Sequence, residues 1–301
     1  MSVIEAQRQR QGESFAAGMV FLESWFPIAA AISVVALGGL HAYFYSLLFA
    51  VVALAFWWVS RRKFSDLKNR KAYFPLAMTS LFITSLFALT FVALQYTSAI
   101  NVAIILFLQI LFSYVFLGRK PGERLQVKQI LGATLMTLGA LLVLFPGKID
   151  LRLGDFLVLL AAMIAPIANL YQKRAREYVS SPTVLLVRSL LALPVIYVLA
   201  WLLEDSPSFE MIQQQLPSLL FVGIMIFFLS KVLWIEAIYR LPITKVNALF
   251  AFSPLLTMLW SWWLLDQAPH WFQVLGALPI VIGAYWVSGA NFNSVKRGAK
   301  R

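Results

Sequence analysis

Positions 144 residues apart in this chain carry matching side chains. Ala237 and Ile238 stand where Ala93 and Leu94 stand, Val246 answers Val102, and Leu255 answers Leu111. The same offset pairs Gln273, Gly276 and Ala277 with Gln129, Gly132 and Ala133, and Gly283-Ala284 with Gly139-Ala140. An offset held without a break over about fifty residues is an internal repeat. Two copies of one unit must therefore share the fold, and the function has to be something two copies can do together.

The unit is a membrane one. The chain is 61% hydrophobic and 13% charged, with a mean hydropathy of +0.80; soluble domains carry about 25% charged residues. It has no cysteine, hence no disulfide framework and no thiolate metal site. The two histidines, His41 and His270, fall near span ends, so neither a metal centre nor another cofactor is expected. The net charge of +12 would suit nucleic acid, but the charges lie in short clusters between apolar runs. That pattern sets membrane topology, so the expected partners are the lipid bilayer and a small solute, not nucleic acid. The opening MSVIEAQRQRQGE is polar and lacks the apolar core and small-residue site of a cleavable signal.

A helix crosses the ~30 Å hydrocarbon core with about 20 residues. The apolar runs place ten spans at 14–37, 42–60, 73–94, 98–118, 127–146, 154–172, 182–203, 216–239, 243–265 and 270–289. With the N-terminus inside, twenty basic residues face the cytoplasm, among them Arg61, Arg62, Lys63, Lys173, Arg174, Arg240 and the tail from Lys296 to Arg301. Only two, Lys148 and Arg152, face the other side, together with Asp155, Glu204, Asp205, Glu210 and Asp266. The bias puts both termini in the cytoplasm. Span four then matches span nine, five spans on, and an odd separation inserts the second copy upside down. Inverted repeats are a transporter architecture with the site near the midplane between the copies. The expected fold class is thus all-α integral membrane, ten transmembrane helices in two inverted five-helix repeats. Its parts are a cytoplasmic segment 1–13, a first repeat 14–147, an outer linker 148–153, a second repeat 154–290 and a basic cytoplasmic tail 291–301.

The stretch VALQYTSAINVAIILFLQILFSYVFLG, followed by GERLQVKQILGATLMTLGALLV, and its counterpart IEAIYRLPITKVNALFAFSPLLTMLWSWWLL, followed by APHWFQVLGALPIVIGAYWV, resemble the drug/metabolite transporter superfamily, EamA type. The resemblance spans nearly the whole chain and implies two five-span units. It further implies that spans 1, 3, 4, 6, 8 and 9 line a central cavity. The first span, FLESWFPI, departs from that family's small-residue pattern by placing Glu23 there.

Charges inside a bilayer cost roughly 2.5–3.5 kcal/mol each on insertion scales and ask for partners or an aqueous cavity. Glu23 lies ~14 Å into span 1 at 1.5 Å per residue, and Lys231 lies at nearly the same depth in span 8. At ~4 Å and an effective dielectric of 20 the two would attract by ~4 kcal/mol. They read either as a static clamp or as a site where a solute or a proton competes for one partner. Pro27 has no N–H, so the carbonyl of Glu23 loses its helical partner; Pro166 and Pro254 would do likewise for Ala162 and Phe250. Asn101, Gln109, Asn169 and Asn247 are candidate solute contacts, or interhelical glue. Glu236, Lys245 and Arg188 fall nearer the cytoplasmic edge, as a gate or ion pair, with Arg188 able to snorkel to the headgroups. Gly132 with Gly139, and Gly276 with Gly283, recur seven apart and mark close helix approach.

These features read as a secondary-active transporter, an exporter first, of a small polar metabolite such as an amino acid, with Glu23 as the candidate proton site. It would sit in a bacterial inner membrane, with a homodimer left open. The alternatives are a flippase or exporter of an amphipathic, lipid-like solute or drug, and a non-transporting membrane scaffold. An enzyme would need clustered His, Asp or Ser/His groups at one membrane face, and the sequence has none.

Overall fold

Long apolar runs bounded by Gly, Pro and charged clusters leave helix as the only way to satisfy each backbone group within its own segment. A computed structural model describes residues 3–117, 127–144, 152–241, 246, 249–250 and 252–289. Among them there is no strand. The first repeat comprises α1 (Val3–Leu37), α2 (Gly39–Ser60), α3 (Tyr73–Ala93), α4 (Ala99–Leu106), α5 (Gln109–Leu117) and α6 (Val127–Leu144). The second comprises α7 (Leu153–Tyr178), α8 (Ser181–Leu203), α9 (Phe209–Leu220), a π-helical segment Phe221–Ser230, α10 (Lys231–Arg240), α11 (Ser253–Leu265) and α12 (Trp271–Gly289). Among the described residues six helices are long and apolar enough to cross a membrane: Gln9–Leu37, Gly39–Ser60, Arg70–Ala93, Leu153–Tyr178, Ser181–Leu203 and Phe209–Ala237. Ala99–Ser113, Ile130–Gly139 and Trp271–Trp286 are shorter apolar helices.

Three details differ from the sequence reading. Helix α1 begins at Val3, so the polar segment expected up to residue 13 continues the first helix. The fourth run is two helices, α4 and α5, divided at Phe107-Leu108, where Leu108 N–H bonds back to Ile105 and Ile110 N–H to Phe107. The eighth run starts at Phe209 and passes through the π segment before Lys231. Much of the 148–153 linker and all of the 291–301 tail lie outside the described residues.

The packing relates the two repeats. Helix α2 packs on α8, its counterpart, and α6 on α12, its counterpart. Helix α3 packs on α7 while α10 packs on α1, and α5 on α7 while α11 packs on α1. The glycines fix the direction. A Cβ on Gly139 would sit 2.4 Å from the carbonyl oxygen of Gly276, and one on Gly283 would sit 2.4 Å from that of Gly132. One position rises as the other falls, so the two equivalent helices cross antiparallel with exchanged contacts. Gly283→Ala should therefore destabilise the protein by about 1–3 kcal/mol through overpacking, and Gly139→Ala by a similar amount. Thermal unfolding in detergent checks this, and unequal losses would speak against the exchanged geometry.

The α2–α8 pair is capped in the same reciprocal way. Helix α2 is preceded by Gly38 at its N-cap, which has a φ of 85° and no side chain to cap with. Glu204, at the end of α8, supplies the acceptor for the N–H groups of Leu40 (2.9 Å) and His41 (3.1 Å), and also binds the Gln95 amide at 2.8 Å. At the other end Ser180 does not cap α8 with its own side chain. Asp66, beyond the end of α2, accepts from Ser180 N–H at 2.8 Å, from Thr183 Oγ1 at 2.7 Å and from the Ser180 hydroxyl. Partial burial alone would raise the Asp66 pKa, but the Ser180 and Thr183 hydrogen bonds and nearby Lys63 outweigh it and hold the carboxyl below its ordinary value of 3.8. The cap's contribution is thus in full force above pH ~4. It fades as pH falls through the depressed value. Unfolding of the parent and of Asp66→Asn should differ at neutral pH and converge in acid; a difference that persists after Asp66 is protonated would overturn this assignment.

Candidate functional site

Glu23 lies midway along the apolar stretch Gln9–Leu37 of α1, one turn before Pro27. The helix runs on through the proline, and the residue next to Glu23 is held by neighbours. Thr257 Oγ1 on α11 donates to the carbonyl of Ser24 at 2.8 Å, and Trp260 Nε1 donates to Ser24 Oγ at 3.0 Å. Trp260 also stacks on Trp25 with ring centroids 4.8 Å apart. These contacts fix the rotation of α1 and so the direction of Glu23.

Lys231 is delivered by the π segment. Gly223 within it lies against α2, where a Cβ would meet the carbonyl oxygen of Ser46 at 2.5 Å. π-helical turns are rare and frequently sit at functional sites. The segment ends on Ser230, and Lys231 opens α10. Lys231 Nζ reaches Glu23 Oε1 at 2.6 Å, the Ser230 hydroxyl donates to the same oxygen, and the ammonium stands 5.4 Å from the centroid of Phe87. The side chains are 17% and 12% exposed, so the pair is largely out of solvent.

The pair borders a cavity of about 80 Å³ built by both repeats: Glu23 on α1, Phe87 on α3 and Gln109 on α5 from the first, Asn169 and Gln172 on α7, Arg188 on α8 and Lys231 and Trp234 on α10 from the second. At the ~10–15 Å³ that one water needs, it holds several waters or one small solute. Among the described residues one acid, two cations and three neutral amides converge there. That set can hold a charged solute.

Of the residues singled out in the sequence, Glu23, Lys231, Gln109 and Asn169 thus border one cavity. Asn101 does not. It occupies the first turn of α4, about 12 Å along the chain from Gln109, and is 4% exposed. Its amide donates to Asp155 Oδ1 at 3.0 Å and its Oδ1 accepts from Gln273 Nε2 at 2.7 Å, while the Thr97 hydroxyl donates to the same Asp155 oxygen. Asn101 ties α4, α7 and α12 together. Arg188, expected at the edge and free to snorkel, turns inward instead: it is 4% exposed and its Nη1 donates to Gln172 Oε1 at 2.5 Å. A guanidinium buried on the inner face of α8 finds its acceptor on α7, not at a headgroup. Glu236, expected to face Lys245, accepts from Arg240 one turn on, whose guanidinium lies 4.9 Å from the Phe15 ring centroid. Lys245 and Asn247 lie outside the described residues.

Gln172 and Ser230 are the site residues that sequence reasoning missed. Gln172 sits three residues after Asn169, a spacing that shares a helix face. Its signal was masked by Lys173-Arg174, which read as the end of a span, whereas α7 continues to Tyr178. Ser230 carries no signal of its own in the sequence beyond standing next to Lys231.

Comparison with known proteins agrees with this architecture. A model of the EamA-like transporter family matches twice, over residues 10–145 and 152–289. An uncharacterized transporter of Bacillus subtilis (strain 168), YoaV, is 23% identical over 234 residues, covering 75% of this chain and 79% of that protein. A solved crystal structure superposes with a TM-score of 0.66 at 19% identity, covering 98% of this chain and 99% of that one, which speaks for the fold alone. With two matches of that family model filling nearly all of its length, one for each repeat, the chain belongs to the EamA-like transporter family.

Proposed function

We propose that this protein is a secondary-active transporter that carries a small polar solute across a bacterial inner membrane by alternating access. Ten spans, five to a repeat with the second repeat inverted, would let the same site open to either side in turn; the exchanged contacts of α6 and α12 support that reading. The observation that carries it is the Glu23–Lys231 ion pair bordering a cavity to which both repeats contribute. A static clamp needs no cavity beside it, and a scaffold needs no charges there. Protonation of Glu23 would cancel its attraction to Lys231, so a proton gradient can drive the pair apart and solute can follow.

The test is counterflow and uptake of radiolabelled metabolites in proteoliposomes, with and without an imposed pH gradient. Saturable counterflow of at least one small polar solute is expected; flux no greater than in empty vesicles across all solute classes would overturn the proposal. The same reading places both termini in the cytoplasm. Single cysteines introduced at residues 2 and 300 of this cysteine-free chain should react only with reagent supplied from the cytoplasmic side.

A further inference from the structure

Glu23 and Lys231 offset each other, and among the described residues that leaves the lining of the same cavity with one more positive than negative charge. Arg188 borders the cavity at 4% exposure. Its Nη1 donates to a neutral amide, that of Gln172, at 2.5 Å. Its Nε is buried with no hydrogen-bond partner among the described residues. A guanidinium keeps its proton inside proteins, and a buried charge without a counter-ion is costly. Among the described residues the lining of the cavity therefore carries a surplus of one positive charge, and the guanidinium that supplies it keeps one donor unpaired.

Resting on the transporter reading above, we infer that the solute is an organic monoanion whose carboxylate seats on Arg188 and which carries no ammonium group. The charge balance selects the anion. A monocarboxylate matches the single surplus charge, whereas a phosphate monoester, with about −1.5 to −2 at neutral pH, would exceed it. The planar guanidinium fork suits a carboxylate, taken bidentately. The lining excludes the ammonium. Glu23 is the sole acid among the described residues bordering the cavity, and its Oε1 already accepts from Lys231 Nζ at 2.6 Å and from the Ser230 hydroxyl. A solute ammonium would have to share Glu23 with Lys231 and stand among two cations. Gln109, Asn169 and Gln172 offer neutral hydrogen bonds to a hydroxyl or carbonyl beside the carboxylate, and Phe87, Trp234 and Phe250 offer apolar wall to the rest of the molecule. The class that fits is a 2-hydroxy or 2-oxo monocarboxylic acid, not the amino acid of the same skeleton.

The test uses matched sets on the full-length protein in detergent: 2-hydroxyisovalerate, valine and isobutylamine, then 3-phenyllactate, phenylalanine and phenethylamine, with binding read by ligand-induced shifts in thermal unfolding. The hydroxy acids should bind at least about tenfold more tightly than the amino acids, the step worth 1.4 kcal/mol in a binding constant, and the amines should not bind. Arg188→Gln should lose that binding, and Arg188→Lys should retain part of it, since the charge stays and the fork goes. Amino acids or amines binding as well as the hydroxy acids, an Arg188→Gln protein that binds the acids like the parent, or no binding by any class would each overturn the inference; the parent panel decides even where a variant fails to fold. Counterflow separates this from the transporter reading. Flux that prefers the amino acids keeps the transporter and ends the monoanion assignment. Binding of the hydroxy acids without flux of any solute keeps the assignment and ends the transporter reading.

Discussion

Lys231→Met is expected to reduce transport by about a hundredfold, equivalent to ~2.7 kcal/mol of barrier, while the protein remains inserted. The methionine keeps the length of the side chain and removes its charge. Glu23 then retains the Ser230 hydroxyl but loses the ammonium 2.6 Å away. Breaking a buried pair from one side costs about 3–5 kcal/mol unless the stranded group neutralises, so the variant should also unfold at lower temperature. The companion Glu23→Gln/Lys231→Met protein removes both charges and should recover most of that stability, because neither partner is left alone. Its flux distinguishes the two roles of the pair. Under the proposed mechanism the double variant stays inactive, since the Lys231 ammonium that the site needs is still missing from it. Flux restored to the parent level would make the pair a static clamp between α1 and α10. Initial rates of counterflow, normalised to inserted protein, supply the comparison.

That the pair could be anticipated at all follows from how membranes constrain sequence. A charge within an apolar run is expensive, so Glu23 and Lys231 stand out singly, and their equal distance from the basic ends of their runs matches them in depth. The repeat is legible because Gly139 and Gly283 must both admit a backbone oxygen at 2.4 Å from where a Cβ would stand, which fixes residue type at the same offset. Other parts depend on which helices become neighbours, and one chain does not state that. Arg188 looks the same in sequence whether it points to headgroups or to Gln172; only the packing of α7 on α8 decides. Asn101 and Gln109 are eight residues apart on one apolar run, yet the break at Phe107-Leu108, which no Pro or Gly announces, leaves one in a buried network with Asp155 and the other in the cavity. The π segment likewise follows Pro217 by four residues without any composition of its own to mark it. The reciprocal caps by Glu204 and Asp66 join residues more than 100 positions apart and appear only once α2 lies beside α8.

Glu23→Gln should uncouple transport from the proton gradient while leaving exchange intact. The substitution is nearly isosteric, keeps an oxygen to accept from Ser230 and Lys231, and removes only the ability to gain and lose a proton. Under the proposed mechanism, a proton arriving on Glu23 of the parent would cancel the attraction that holds Lys231. Loss of that proton on the other side of the membrane would restore the pair. A cycle of this kind ties one proton movement to one change of the cavity, and glutamine cannot take part in it. Solute-for-solute exchange needs no net proton movement, so counterflow should persist within about a factor of a few of the parent, whereas acceleration by an imposed pH gradient should vanish, a loss that a tenfold rate change, or ~1.4 kcal/mol, would make plain. The charge balance adds a second signature. With Glu23 neutral, Lys231 and Arg188 both stand in the cavity without an acid, so a solute monoanion should bind more tightly to the variant than to the parent, and an amine no better. Counterflow, pH-driven flux and binding are measured side by side on the same preparation. A Gln variant whose flux still rises with the gradient as the parent's does places the coupling proton elsewhere and leaves Glu23 as the counter-ion of Lys231.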